Sequence, residues 1–508
     1  IDGAAEFYKG ADIFLTGGTG FVGVALIEKL IRCFGNDIGK IYLLIRSKKI
    51  FIIERTHPIF IFKKNSVFEK LIAEKGDGLL KEKLVAVSGD VGSPDLGLSD
   101  SDKAALKNVS IVFHSAATLD FEANLKTTYE INLLGTRRVI ELCKSLPKFK
   151  ALLHVSSAYA NSNRNQAEEV LYEVPGDVEK VGGLVSSLND AALEEVTPTV
   201  LGNHPNTYTF TKALAEHAVA ESGLNTCIIR PSMIIGAWKE PVPGWTISKN
   251  GPQGFLMAAS KGVVRRLPVN KNLVYDYIPV DIVINHMILG AYKADPSTPI
   301  YHCTSSTCNP FRWADVEERI HEILLSALIF HILPAFILDN TLALAGGRRI
   351  LMRLHRNING SLDRLAPFIF QEWKYDNHKT VALHESLKPA DQERFGVDIR
   401  QLRWPDLFDD LAKGVRRYLN KESDSTIPAG RKKDTITLIS IPSNHLQAVW
   451  FVVVQIYSIN LLYKKTFSSS NHGLTKIQVG CCFSQINTFE AANFVLIKLF
   501  CAIFFFFF

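Results

Sequence analysis

A tyrosine and a lysine stand four positions apart in the segment YTFTK, at Tyr208 and Lys212. On a helix, residues at this spacing lie one turn apart on the same face, so the phenol and the ammonium would be neighbours. A cation beside a phenol lowers its pKa and helps it to act as a proton donor. The pair alone is weak evidence, because this spacing is more often part of a solvated helix face.

A glycine-rich loop is the second chemical feature. Residues 16–23 read TGGTGFVG, directly after the apolar run Ile13 to Leu15 and at the start of a predicted helix. Such glycines let the backbone approach a dinucleotide pyrophosphate, and the free amides of a helix N-terminus favour its negative charge. The residues predicted to bind the cofactor in this loop are Thr16, Gly17, Thr19, Gly20, Phe21, Val22 and Gly23. Alone, the loop could be an ordinary turn; together with the Tyr/Lys pair it indicates a reductase.

Apolar runs alternate with helical patterns through the first 300 residues. Strands are predicted at Asp12–Leu15, Ile41–Ile45, Leu84–Val87, Ser110–His114, Ala151–Val155 and Thr226–Ile229. Helices are predicted at Phe21–Cys33, Leu125–Leu146 and Thr209–Ser222. Continuous apolar strands separated by helices indicate a parallel sheet covered on both faces. The predicted fold class is therefore α/β, a doubly wound parallel sheet of the Rossmann type, followed by a mostly helical C-terminal domain.

The residue after the second strand bears on the choice of cofactor. In a doubly wound fold an acidic residue there binds the 2′-hydroxyl of NAD, whereas this chain has Arg46 with two lysines close behind. A basic group suits a 2′-phosphate, so NADPH is predicted, with a solvated basic turn as the alternative reading. Asp90 and Val91 follow the third strand and are predicted near the adenine, and Ala116 follows the fourth, where the backbone must pass the cofactor.

Two serines, Ser156 and Ser157, end the fifth predicted strand, at the sheet edge where ligands bind in such folds. A serine there is usually only a cap, so its catalytic interpretation depends on Tyr208 and Lys212. With them the set is consistent. Tyr208 would donate a proton to the developing oxyanion, Lys212 would also hold the nicotinamide ribose, and Ser157 would place the substrate carbonyl.

Composition and residue positions argue against other classes of site. The 57 Lys and Arg against 51 Asp and Glu give a net charge of +6, mild for 508 residues, so no nucleic-acid partner is predicted. The eight cysteines are scattered, without a pair at zinc-ligand spacing, so no metal site is predicted. His114, His154 and His204 have no partner pattern and are interpreted as structural.

Beyond about Asn309 the pattern becomes mostly helical, with helices predicted at Ala314–Ile323, Arg348–Ile358 and Trp404–Asn420. The apolar stretch 323–345 approaches the roughly 20 residues of a membrane helix, but it contains His331, Pro334 and Asp339. It is interpreted as a buried or interfacial hairpin, with a membrane-spanning helix as the less favoured alternative. The sequence after residue 422 has no clear period, and no fold is assigned to it.

Several stretches closely resemble the eukaryotic fatty acyl-CoA reductases of the extended short-chain dehydrogenase class, most of all the insect members. In the first part these are TGGTGFVGVALIEKLIR (16–32), IYLLIRSKK (41–49), VFHSAATLDFEANLK (112–126), INLLGTRRVIELCK (131–144), HVSSAYAN (154–161), PNTYTFTKALAE (205–216), IIRPSMI (228–234), GPQGF (251–255) and YDYIPVDIVIN (275–285). In the second they are FHILPAFILD (330–339), EWKYDN (372–377) and residues 395–422. Residues 48–65 and those after about 433 do not resemble the family.

The resemblance implies NADPH-dependent reduction of a long-chain acyl-CoA to a primary alcohol, with release of CoA. It assigns cofactor binding to Gly17, Gly20 and Gly23, the catalytic pair to Tyr208 and Lys212, and a position usually held by Thr or Ser to Ser157. The implied organisation is a catalytic domain over residues 1–308, a helical C-terminal domain over 309–422 and a tail over 423–508. The oligomeric state is not set by the sequence.

Two alternatives remain open at this point. Another extended short-chain dehydrogenase, of the epimerase or hydroxysteroid type, would share the loop and the Tyr/Lys pair but would not explain the C-terminal helical unit. A non-catalytic NADPH-binding protein is a different class, and Ser157, Tyr208 and Lys212 argue against it. The apolar stretches and the insoluble product favour association with a cytosol-facing membrane, of the endoplasmic reticulum or the peroxisome.

Overall fold

The computed structural model describes residues 3–46, 62–260, 269–315 and 367–426, with isolated positions between 336 and 360. Its strands are β1 (Asp12–Thr16), β2 (Ile41–Ile45), β3 (Leu84–Ser88), β4 (Val109–His114), β5 (Ala151–Val155), β6 (Gln166–Ala167), β7 (Thr226–Pro231), β8 (Met233–Ile235), β9 (Tyr277–Pro279), β10 (Ile300–Cys303) and β11 (Lys374–Tyr375). All six predicted strands are present, with ends that differ by at most two residues. The sequence did not predict the short strands or β10.

Seven of the strands form one parallel sheet in the order β10-β7-β5-β4-β1-β2-β3. The order reverses between β1 and β4, which opens a crevice at the carboxyl ends of these two strands. Their residues are almost all buried because helices cover both faces, which explains the continuous apolar runs in the sequence. The prediction of a doubly wound α/β fold is confirmed.

The helices of the described residues follow the strands as the alternation indicates. They are α1 (Gly3–Tyr8), α2 (Phe21–Phe34), α3 (Glu69–Lys75), α4 (Gly78–Lys83), α5 (Asp100–Ala105), α6 (Leu125–Thr128), α7 (Gly135–Ser145), α8 (Val178–Ser187), α9 (Asp190–Leu201), α10 (Thr207–Ala220), α11 (Pro252–Ser260), α12 (Val280–Tyr292), α13 (His378–Glu385), α14 (Pro389–Phe395) and α15 (Trp404–Gly414). The single helix predicted at Leu125–Leu146 is α6 and α7 joined by a π-helical segment, Tyr129–Leu134. The helix predicted at Trp404–Asn420 likewise ends in a π-helical segment, Val415–Leu419.

The C-terminal residues that the structure describes share a hydrophobic core with the seven-stranded sheet. Strand β11 pairs in parallel with β6, and Phe395, Ile399, Trp404 and Leu407 share one hydrophobic core with β1, β2 and α12. Asn309 holds this region through its side-chain amide, which donates to the carbonyls of Ile399 and Leu402 at 2.8 Å each. The domain boundary at residues 308/309 stays a prediction, and residues on both sides of it build one core.

Several predictions fall on residues that the structure does not describe. They are the helix at Arg348–Ile358, most of Ala314–Ile323, most of the apolar stretch 323–345, and most of the tail. Among the described helices, none combines the length and the apolar character needed to cross a bilayer.

Candidate active site

The glycine loop connects β1 to α2 and is held tightly against the loop after β4. Gly17 has φ of +76°, and a Cβ at this position would lie 2.9 Å from the backbone nitrogen of Ala116. A Cβ on Gly23 would lie 2.3 Å from the carbonyl oxygen of Gly17. Only glycine fits at either position. Without side chains there, the backbone of the loop is accessible to a ligand beside the first turn of α2. This is the arrangement that receives a dinucleotide pyrophosphate, and the residues present therefore fit such a cofactor.

A series of buried hydrogen bonds holds the glycine loop in place. The Thr16 hydroxyl accepts from the Ala116 amide at 3.1 Å and lies 2.8 Å from Nδ1 of His114. His114 Nε2 lies 3.0 Å from the hydroxyl of Thr136, which itself donates to the Asn132 carbonyl at 2.6 Å. The Thr136 hydroxyl must therefore accept from His114 Nε2–H, which leaves Nδ1 to accept from Thr16. His114 thus joins the glycine loop to α7.

His114 is structural, as the sequence indicated, but its structural task is specific to the cofactor loop. Burial, with a smaller contribution from the Lys212 charge, lowers the pKa of His114 to about 3, so the ring is neutral as the hydrogen-bond chain requires. Its partners lie 98 and 22 residues away along the chain, so no local spacing could have identified them.

The other residues predicted to bind the cofactor also follow strands of the sheet, and each has its own contacts. The Phe21 ring packs on Trp245, with ring centroids 5.3 Å apart. Val22 likewise packs against the core. Val91 is buried, and its carbonyl accepts from Arg138 at 2.8 Å, while the Asp90 carboxylate accepts from the Gly92 amide at 3.0 Å.

Arg46 stands immediately after β2 and is exposed. Its position at the carboxyl edge of the sheet is the one predicted for a ribose contact. The two lysines behind it, Lys48 and Lys49, lie outside the described residues.

The three predicted catalytic residues come together at the carboxyl end of β5. Tyr208 and Lys212 lie on α10, which begins after the capping residue Asn206, and both side chains are buried. Ser157 follows β5 and hydrogen-bonds the side chain of Tyr208. Its hydroxyl also accepts from the Tyr159 amide at 3.2 Å, so Ser157 caps a short 3₁₀ helix as well as contacting the tyrosine.

The protonation states of Tyr208 and Lys212 follow from their burial. Burial raises the pKa of Tyr208 to about 12, and the hydrogen bond with Ser157 acts in the opposite direction. The Lys212 ammonium donates to the Val155 carbonyl at 2.7 Å, and burial lowers its pKa to about 8 against the opposing effect of Glu216. Burial and Ser157, rather than Lys212 as the spacing suggested, are thus the main influences on the phenol. Tyr208 is protonated at neutral pH and able to donate.

A buried ion pair lies one turn beyond Lys212 on α10. Both carboxylate oxygens of Glu216 accept from Arg230 on β7, at 2.9 and 2.7 Å, and one of them also accepts from the Ser156 hydroxyl at 2.5 Å. Both charged side chains are almost fully buried. Glu216 continues the spacing of Tyr208 and Lys212 along one helix face, but its partner Arg230 lies on a strand, so local spacing does not reveal the pair.

The sequence comparisons agree with this site. A family model described as male sterility protein matches residues 15–287, and a second model with the same description matches residues 330–422. A Drosophila melanogaster protein assigned to the fatty acyl-CoA reductases, CG8306, is 46% identical over 471 residues, which are 85% of this chain and 90% of that protein. The chain belongs to the fatty acyl-CoA reductase family. Fatty acyl-CoA reductase 1 of Xenopus laevis is 34% identical, over 84% of this chain and 88% of its own length.

More distant relatives extend the comparison. Fatty acyl-CoA reductase 1 of Homo sapiens is 31% identical, over 92% of this chain and 99% of its own length. Among solved structures, the terminal R domain from the myxalamid PKS-NRPS biosynthetic pathway superposes with a TM-score of 0.53 at 20% identity, over 80% of this chain and 91% of that domain. At that identity the structural likeness supports the fold alone.

In this family member, aromatic residues adjoin Tyr208. The ring of Phe121 lies 5.5 Å from the ring of Tyr208 and 5.5 Å from that of Phe368, centroid to centroid. Phe368 in turn contacts Tyr159 and Trp373, at 5.3 and 5.8 Å. A cluster of packed aromatic rings therefore connects Tyr208 with the C-terminal region.

Proposed function

We propose that this chain reduces long-chain fatty acyl-CoA to a primary fatty alcohol, with NADPH as the reductant and CoA as the released product. The observation that carries the proposal is the convergence of Ser157, Tyr208 and Lys212 beside a dinucleotide-binding loop in a member of this family. The aromatic surface next to Tyr208 adds support for a substrate with an apolar chain.

The residues have distinct tasks in such a reaction. When bound, the cofactor supplies hydride to the carbonyl carbon. The Tyr208 hydroxyl donates its proton to the carbonyl oxygen as negative charge develops there, and Ser157 hydrogen-bonds and orients the same region. The resulting hemithioacetal breaks its C–S bond to release CoA and an aldehyde. A second reduction of the aldehyde gives the alcohol, with Tyr208 again as the proton donor.

The preference for NADPH is supported by Arg46. This exposed cation follows β2, where a doubly wound fold presents side chains to the adenosine ribose, and it suits a 2′-phosphate. A comparison of NADPH and NADH at equal concentrations, with the natural chain and with Arg46→Ala, tests this step. We expect the ratio of kcat/KM values for NADPH over NADH to fall in the variant. An unchanged ratio would remove Arg46 from the cofactor assignment.

The test of the activity is the product balance of the full-length chain with palmitoyl-CoA and NADPH. Hexadecanol with about two NADPH oxidised per CoA released is expected, because each of the two reduction steps consumes one hydride. Aldehyde as the only product would indicate a one-step reductase. A chain that binds NADPH but oxidises none with any acyl-CoA would contradict the proposal and favour another dehydrogenase substrate.

Membrane association is part of the same proposal. The apolar sequence at 323–345 and the water-insoluble product favour a cytosol-facing membrane, of the endoplasmic reticulum or the peroxisome. Fractionation of cells that express the chain tests this. We expect it to stay with membranes in high salt and to be released by detergent, whereas release by salt alone would contradict the proposal.

A further inference from the structure

Most of the exposed apolar side chains lie close in the chain to the aromatic residues beside Tyr208. We define the aromatic cluster as Phe121, Tyr159, Phe368, Trp373 and Tyr375, which contact one another in the structure. Within the described ranges, the large apolar side chains that are exposed are Leu119, Leu171, Val174, Phe336 and Phe370. Leu119 and Phe370 lie two residues along the chain from the cluster members Phe121 and Phe368. Leu171 and Val174 lie within two residues of Tyr172, which packs on the cluster.

The segment that carries Leu119 and Phe121 is fixed to the catalytic helix at both ends. At one end the Thr118 amide donates to the Asn132 side chain at 3.0 Å, and Asn132 donates to Thr211 on α10 at 3.2 Å. At the other end the Thr207 hydroxyl, at the start of α10, donates to the Ala123 carbonyl at 2.8 Å. The Phe121 ring therefore has a defined place against Tyr208.

The segment that carries Phe368 and Phe370 is held just as firmly. The Tyr275 hydroxyl donates to the Ile369 carbonyl at 2.8 Å, and the Trp373 indole donates to the Ser162 carbonyl at 3.2 Å. Phe368 is buried, whereas Phe370 is 57% exposed. Leu119 lies two residues before Phe121 and Phe370 lies two residues after Phe368, so each of these two contacting rings has an exposed apolar side chain close to it in the chain.

We propose that the acyl chain of the substrate lies along this cluster, from Phe121 at the reacting carbonyl, past Phe368, to Leu119 and Phe370 at the entrance. The inference rests on the proposed function and assigns the residues that set the preference for a long chain. We assign the acyl chain to this cluster because Phe121, the first ring of the path, contacts Tyr208, next to which the reacting carbonyl would lie. A methylene-rich chain gains by leaving water, and each exposed apolar side chain that covers it adds to that gain.

The test compares palmitoyl-CoA with butyryl-CoA, whose chain is too short to reach the entrance. Leu119→Ser and Phe370→Ser change exposed side chains, so the fold is expected to persist. We expect each substitution to lower the ratio of kcat/KM values, palmitoyl over butyryl, by about ten-fold or more, since loss of a single apolar contact of methylene size is worth about that much. Calorimetric binding of palmitoyl-CoA to the chain with NADP⁺ bound is expected to weaken in parallel.

Phe149→Ser is the control for the ratio. Phe149 precedes β5 at the amino edge of the sheet, where it is partly buried against the core, so any loss of stability in this variant acts equally on both substrates. Its ratio is expected to equal that of the natural chain. An equal loss with both substrates in Leu119→Ser and Phe370→Ser would overturn the acyl path, as would reduced binding to phosphatidylcholine vesicles with an unchanged ratio, which would make the patch a membrane contact. Failure of the natural chain to reduce any acyl-CoA would overturn the proposed function itself.

Discussion

The hydroxyl of Tyr208 is the atom on which the proposed proton transfer depends. Tyr208→Phe removes this hydroxyl and keeps the ring that packs on Phe121. Because general-acid catalysis contributes typically about 10²- to 10⁴-fold, we expect kcat to fall by that order with the affinity for NADPH unchanged. Single-turnover oxidation of NADPH and a fluorescence titration of cofactor binding measure the two effects.

Tyr129→Phe is the control for this substitution. Tyr129 is a buried tyrosine whose hydroxyl donates to the Val178 carbonyl at 3.5 Å, apart from Ser157 and Lys212. Activity close to that of the natural chain is expected. If Tyr208→Phe kept more than a tenth of the activity, another group would have to supply the proton.

The charge of Lys212 predicts a pH dependence. Burial lowers its pKa to about 8, so the protonated fraction of Lys212 falls as the pH rises through 8, well below the ordinary value of 10.5 for a lysine. If the ammonium is required, kcat/KM is expected to decline above about pH 8. A profile that stays flat to pH 10 would show that catalysis does not require the ammonium.

Unfolding would not explain such a decline. Between pH 8 and 10.5 the unfolded chain holds the Lys212 proton that the folded chain has lost, so this group favours the folded state more as the pH rises. Circular dichroism at pH 9 is expected to match that at pH 7.

At the scale of elements, the junction of β1, the glycine loop and α2 tolerates no side chain at Gly23. In Gly23→Ala the new methyl would collide with the Gly17 carbonyl, at 2.3 Å, so loop and helix must separate. We expect NADPH affinity to fall by at least about ten-fold, an effect of about 1.4 kcal/mol, which equilibrium titration measures. Gly183→Ala on α8 is the control, because nothing lies within 4 Å of its new Cβ. Equal affinities for both variants would contradict the close packing.

The sequence predicted the strands that are buried along nearly their whole length. Strands β1, β2 and β5 are covered on both faces and read as apolar runs, so they were found within one residue of their ends. Strand β10 has only four residues and contains His302, whose backbone amide donates to Glu169, a partner 133 residues away. Such a strand depends on contacts with residues distant in the chain, and its own four residues are too few to show a hydrophobic pattern.

The same distinction holds for the site. Local spacing was enough to find the glycine loop and the pair Tyr208 and Lys212, because one loop and one helix turn bring those residues together. It was not enough for His114, which acts through the distant residues Thr16 and Thr136. The interruption of the helix at Tyr129–Leu134 was missed for a similar reason, since the side chain of Asn132 there is held by Thr211 from another helix.

At the scale of the molecule, Arg230 connects α10, the helix of Tyr208 and Lys212, to the C-terminal region. Besides its pair with Glu216, its guanidinium donates to the carbonyls of Glu168 and Val170, at 3.1 and 2.8 Å, and lies 3.3 Å from His302 Nε2. The Glu169 carboxylate in between accepts from the backbone amides of His302 and Thr380, at 2.8 and 3.2 Å. One buried network therefore runs from α10 through the sheet edge to α13.

This network predicts that removing one charge of the pair lowers the free energy of unfolding more than removing both charges. Arg230→Met leaves the Glu216 carboxylate buried without its cation, and we expect the free energy of unfolding to fall by about 3–5 kcal/mol. Adding Glu216→Gln to that variant removes the uncompensated charge, so the double variant is expected to regain part of the loss. Denaturant unfolding of the three chains measures this, with the exposed pair of Lys144 and Glu141 as control, where Lys144→Met should change stability by less than about 1 kcal/mol. A double variant that is no more stable than Arg230→Met would mean that Arg230 acts through its carbonyl contacts alone, and the charge pairing would then not hold α10 to the C-terminal region.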